Sequence, residues 1–175
     1  MFAAHLAAGL AIKAGQRRVP AWAVLTGAFL PDLLWIALAG AGIEPTSDAA
    51  YFDGWSHSVA SIMIQAVLFA LCFHRLGRPV MLAMGLAVFS HLPLDALIHP
   101  KPLEFWPHSP ILLGQSTWAW GQIHSALGKA RYWWIQLAIV IPLLGFYWYR
   151  AAGRKLPPNL AAASCLLVLG LHLAF

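Results

Sequence analysis

The stretch PVMLAMGLAVFSHLPLDALI, Pro79 to Ile98, decides the fold, because Asp95 is its single charged residue. At 1.5 Å per residue a helix of that length covers the roughly 30 Å hydrocarbon core of a bilayer. It therefore reads as a transmembrane helix. Its neighbours repeat the pattern: Val19 to Ala41 is apolar except for Asp32, His57 to Phe73 has no formal charge, and Trp133 to Tyr149 and Leu156 to Phe175 are uninterrupted. Met1 to Ala14 is apolar but too short to cross. Its alanines and Gly9 allow close helix approach, so it reads as a short helix packed inside the bundle. The expected fold is all-α: a multi-pass bundle of about five spans, a short N-terminal helix, and an outer interfacial segment between Pro100 and Tyr132 carrying a loop and a short helix.

Composition agrees. The 175 residues are 61% hydrophobic and 10% charged, with a mean hydropathy of +0.70. Soluble domains carry roughly 25% charged residues, so a soluble globule, a disordered chain, a coiled coil and a disulfide-stapled secreted domain are all excluded. The length fits one domain, residues 1–175. Fourteen glycines and twelve prolines lead one to expect broken helices, and nine tryptophans suit interfacial belts. Cys72 and Cys165 lie in apolar runs and read as small buried hydrophobes. The first basic residues follow the opening apolar stretch instead of preceding it, unlike a signal peptide.

The net charge of +5 comes from basic residues scattered through apolar sequence, which make no nucleic-acid face. They orient the chain instead. Lys13, Arg17 and Arg18, then Arg75 and Arg78, then Arg150, Arg154 and Lys155 fall in three short loops on one side if every span crosses. The positive-inside rule makes that side cytoplasmic. Gly42 to Ser56 and His99 to Tyr132, with Glu44, Asp48, Asp53 and Glu104, then face outward. The expected location is the plasma (inner) membrane.

An ionised Asp near a span centre costs about 2.5–3.5 kcal/mol, and no Lys or Arg lies within either Asp-bearing span. The available partners are histidines. His91, Asp95 and His99 follow at i, i+4 and i+8 on one helical stripe. His57 begins a second polar stripe through Ser61 and Gln65. Asp32 follows Pro31 in the outer half of its span, and His5 lies in the packed N-terminal helix. Each has a plain reading: a His–Asp ion pair or proton relay on the stripe, an interfacial His57, Asp32 capping a helix that resumes at Leu33, a core His5. Yet the topology puts all of them at one depth, and imidazole nitrogen with carboxylate oxygen suits zinc-like cations. These residues suffice for two divalent ions with open positions for water.

No H-E-x-x-H, G-x-S-x-G, Walker or G-x-G-x-x-G motif is present. Ser56, Ser58 and Ser90 adjoin histidines, but neighbouring helical side chains diverge by about 100°, so adjacency is not expected to pair them. His74 and His172 read as structural, whereas His108 and His124 lie on the outer segment.

His5, "FLPDLLW" (29–35), "GWSHS" (54–58), "FSHLPLDALIHP" (89–100) and "FWPHSP" (105–110) together resemble the predicted membrane-bound metal-dependent hydrolases, a family distantly similar to zinc-dependent phospholipase C. The resemblance covers Met1 to Pro110. It implies metal ligation by His5, Asp32, His57, His91 and Asp95, with Asp32 as base for the attacking water, and matches His99 to the histidine that follows the aspartate. A third-metal His-x-x-x-Glu is missing, since Gly128 stands four residues after His124. Two zinc ions are therefore expected. The function so implied is hydrolysis of a phosphoester, a phospholipid or lipid-linked phosphate, at an outward-facing site in the bilayer. Ser58, Trp106 and His108 are expected to meet the substrate. The alternatives are a metal or proton transporter using the same cluster, and a scaffold with a structural metal.

Overall fold

Small residues place the first helix at the centre. In the computed structural model, which describes residues 2–16, 18–44, 54–98, 102–113, 130–153 and 158–174, α1 (Phe2–Gly15) buries Ala3, Ala4, Ala7, Ala8 and Ala11. It is followed by α2 (Ala21–Ala28), α3 (Leu30–Gly40), the single turn α4 (Gly54–His57) and α5 (Val59–Cys72). A 3₁₀ turn at His74–Leu76 leads to α6 (Arg78–Phe89) and α7 (His91–Ile98). After a two-stranded hairpin, β1 (Leu103–Glu104) and β2 (Leu112–Leu113), come α8 (Ala130–Ala152) and α9 (Pro158–Ala174). Helix α1 touches α2, α6, α7, α8 and α9. Its alanine face packs on Leu94, Val140, Leu144 and Val168, while α2 packs on α6 through Val24, Ala83, Met84 and Ala87. That second crossing is tight at Gly27, where a Cβ would stand 2.8 Å from Phe69 Cε1 and 3.1 Å from Ala87 Cβ.

Among the described residues two helices are long and apolar enough to cross a membrane, Arg78–Leu97 and Trp133–Ala152. Helices α2 and α3 make a third if the pair, bent by 58°, is one span. Helix α5 and the described apolar part of α9, Ala161–Leu171, are shorter. The apolar run from His57 is trimmed because Ser58 is extended (φ −63°, ψ 154°) and separates α4 from α5. Met63, Ile64, Val67, Leu68 and Leu71 on α5 and Leu166 on α9 are exposed. Large apolar side chains exposed in such numbers are unusual in water and are consistent with a lipid surround.

Two expectations are corrected. Cys72 is exposed and Cys165 only half-buried, because an apolar helix turned toward lipid need not hide its cysteines. The start of the outer segment is a hairpin rather than a surface loop. Leu103 pairs with Leu113 and Glu104 with Leu112, and Leu103 is fully buried against Ile62, Val88 and Leu92. An apolar strand residue has more to gain in that core than at the interface. The expected short helix, with Trp118, Trp120 and His124, falls outside the described residues.

Candidate metal centre

The site is built by a break in a helix. Pro31 has no N–H and so cannot bond the carbonyl of Gly27. The chain turns at Phe29 (φ −107°, ψ 7°) between α2 and α3, with Phe29 N–H bonding Leu25 O at 3.1 Å and Leu33 N–H bonding Phe29 O at 2.9 Å. The Ala28 carbonyl is thereby turned to another partner, His91 Nδ1, 2.9 Å away. A carbonyl only accepts, so Nδ1 carries the proton and a neutral His91 presents the Nε2 lone pair. The same break sets Asp32 in the first turn of α3, where a carboxylate is favoured by the helix dipole. Helix α3 resumes at Leu30 with Phe29 as its N-cap and no side-chain cap bond, so Asp32 is not the cap that its place after Pro31 suggests.

His57 arrives from α4 with its own support. Ser56 Oγ lies 2.7 Å from His57 Nδ1. Ser56 N–H donates to Glu44 Oε1 at 2.7 Å, and Gln65 Nε2 donates to Ser56 O at 2.8 Å. Adjacent residues thus do pair here, contrary to expectation. Nδ1 sits close to its own backbone and reaches the preceding hydroxyl even though the Cβ directions diverge. Ser56 is fully buried, so its role is to orient the ring. His57 Nε2 is left facing Asp32 Oδ1 at 3.5 Å.

His5, from α1, completes the cluster. Its Nε2 is 3.2 Å from Asp95 Oδ1, and its ring stacks on His91 at 3.8 Å between centroids, 4° from parallel. His91 Nε2 lies 3.1 Å from Asp95 Oδ2 and 3.9 Å from Asp32 Oδ1. Four helices therefore bring His5, Asp32, His57, His91 and Asp95 to one place. Two overlapping groups, His5–Asp32–His91 and His57–His91–Asp95, each offer ligand atoms within 4.8 Å of one another.

The donor set fits a divalent cation. His91 Nε2 and His5 Nδ1 are buried without a hydrogen bond. With Nδ1 donating to Ala28 O, His91 Nε2 faces two carboxylates, a placement that serves a His–Asp ion pair when the ring is protonated and a shared cation when it is neutral. Nitrogen and carboxylate oxygen are ligands of zinc and similar metals, and the Ala28 carbonyl and Ser56 hydroxyl are the outer partners that fix ligand orientation. Four of the five side chains are 1–4% exposed, while Asp32, at 30%, is the accessible member of the cluster.

The remaining sequence-derived candidates are less central. His99 lies outside the described residues. Ser58 is fully buried, and its Oγ accepts from Ser61 N–H at 3.2 Å as the N-cap of α5, which removes it from substrate contact. Trp106 is exposed and His108 has φ +62°, the left-handed region; both belong to the hairpin loop. His74 is away from the cluster, with Nδ1 2.8 Å from Leu71 O. Sequence reading missed Glu44 as a supporting group. It is buried and bonded to Ser56, but in the sequence it is one more acid after a span.

The helix break makes a testable claim. Pro31→Ala restores an N–H for Gly27 O and favours a straight helix, at the expense of the Ala28–His91 bond. Metal affinity should fall about 10–100-fold, the usual cost of losing an outer-shell partner, with helicity unchanged. Competition titration against a chromophoric chelator reads the first and circular dichroism the second.

No family model, curated protein or solved structure matches the chain. Function must be argued from the donor geometry.

Proposed function

We propose that the protein is a multi-pass membrane hydrolase that cleaves a phosphoester with a metal-activated water. The observation that carries this reading is the convergence of His5, Asp32, His57, His91 and Asp95 from four helices on one pocket with two overlapping ligand groups. The ordered motifs that resemble the membrane-bound metal-dependent hydrolases supply the reaction class.

His5, His57, His91 and Asp95 would hold the metal, with Asp32 shared between ligation and chemistry. Bound divalent ions supply Lewis acidity that brings the pKa of water down toward about 7. Since His91 Nδ1 is committed to Ala28, this residue has one ring nitrogen to give. The two carboxylates and three imidazoles would supply enough donors for two ions, and zinc is a metal that such ligands favour. Asp32, the more accessible of the two carboxylates at 30%, would orient the water and take its proton. His57, its Nδ1 held by Ser56, would present Nε2 to the metal beside Asp32.

The topology proposed for this enzyme has five spans, the basic loops cytoplasmic, and the site facing outward. It is supported by the agreement between apolar runs and loop charges. A pocket at that depth suits an amphiphile that enters sideways from the leaflet, a phospholipid or lipid-linked phosphate.

Purified protein should contain at least one equivalent of metal by elemental analysis and release phosphate or headgroup from lipid micelles. Chelation should abolish turnover and added zinc restore it. Metal below one equivalent, or turnover indifferent to chelator, overturns the reading. Ion flux in proteoliposomes would instead mark a transporter.

A further inference from the structure

A cavity of about 380 Å³ lies beside α4, lined by Glu104, His108, Ser109, Pro110 and Leu112. Its polar groups are mostly committed. Ser109 Oγ accepts from Ile111 N–H at 2.9 Å and donates to Ile111 O at 3.1 Å, and His108 N–H donates to Glu104 Oε2 at 2.7 Å. What the cavity offers a ligand is the Glu104 carboxylate, 8% exposed and with Oε2 already accepting from His108 N–H, beside the exposed His108 ring. Among the described residues no Lys or Arg forms an ion pair with it. A carboxylate so nearly buried is best complemented by a cation.

The cavity and the metal centre share one helical turn. A Cβ on Gly54, the first residue of α4, would collide with Glu104 Oε2 and come 3.1 Å from Pro107 Cα. The last residue of α4 is His57, roughly one turn or about 5 Å further along the backbone. The hairpin is tied to the same region by Ala60 N–H bonding Phe105 O at 2.9 Å. His108 is held at φ +62°, a conformation costly for a residue with a Cβ, and this turn aims its N–H at Glu104.

We propose that this cavity binds the primary ammonium of a zwitterionic phospholipid headgroup, with Glu104 as its counter-charge. The proposal rests on the hydrolase reading for its substrate and names the class, an aminophospholipid such as phosphatidylethanolamine, over an anionic lipid such as phosphatidylglycerol. The ammonium could equally be presented by free phosphoethanolamine, and the two sources are tested separately.

Turnover of phosphatidylethanolamine and phosphatidylglycerol in mixed micelles is compared for wild type and Glu104→Gln, which keeps the shape and removes the charge. The preference for the amine lipid should fall about tenfold in the variant, the usual worth of one charged hydrogen bond. N-acylated phosphatidylethanolamine, which lacks the ammonium, should be disfavoured to the same extent by the wild type, a comparison that needs no variant to fold. Calorimetric titration with phosphoethanolamine against glycerol phosphate reads the cavity directly and should show an amine preference that Glu104→Gln abolishes. An unchanged lipid ratio together with equal binding of the two phosphates overturns the proposal. If the wild type cleaves neither lipid but the titration shows the amine preference, the hydrolase reading fails and the ammonium site stands.

Discussion

Replacing His91 by alanine should empty the metal centre. His91 is the residue common to both ligand groups, so its removal takes the same nitrogen from each at once. The loss should exceed the 10–100-fold cost of an outer-shell change, leaving purified His91→Ala with well under one equivalent of metal while the wild type retains at least one. The substitution also strands the Ala28 carbonyl, which loses its 2.9 Å bond, and deprives Asp95 of its 3.1 Å neighbour. A buried acceptor without a partner costs about 1–3 kcal/mol, so a lower thermal midpoint is expected as well. The two effects are separated by His74→Ala, an exposed position away from the cluster, which should alter neither. Elemental analysis of the two proteins side by side is the measurement. A full complement of metal in His91→Ala would place the ions somewhere other than this pocket.

Asp32→Asn should separate binding from chemistry. Asp32 is 30% exposed while its partners are nearly sealed, and a carboxylate there can accept a proton where an amide cannot. General-base contributions run to about 10²–10⁴ in rate, and kcat should fall in that range. The group His57–His91–Asp95 does not use Asp32, so at least one equivalent of metal should remain. The expected signature is thus a loaded but inactive protein, unlike the empty His91→Ala. Turnover of Asp32→Asn at the wild-type rate would assign the proton to another group.

Much of the site could be read from residue types alone. Two acids in apolar helices must be compensated, and the histidines at matching depth were the available partners. The structure brings five of the six named ligands together, His99 lying outside the described residues. What could not be read was how each donor is held. The Pro31 break was visible as a kink, but nothing local says that the freed carbonyl of Ala28 meets a histidine 63 positions away. The Ser56–His57 pair was set aside on an average helical angle, which ignores how near Nδ1 lies to its own backbone. Glu44 looked like a loop charge until tertiary contacts buried it against Ser56. The hairpin at Leu103–Leu113 was missed because two-residue strands leave no periodic signal.

The amino-acid sequence by itself determined that this chain is helical and apolar enough for a bilayer, and it pointed to His5, His57 and His91 as partners for Asp32 and Asp95. Hydropathy and the cost of stranded charge are properties of composition and spacing, legible without coordinates. Only the tertiary structure decided that α1, α3, α4 and α7 meet at one point, that one ring nitrogen of His91 remains for a metal, and that a cavity at Glu104 adjoins the turn carrying His57. Those facts depend on which carbonyl a bend exposes and which helices cross closely, and such long-range contacts have no counterpart in local pattern.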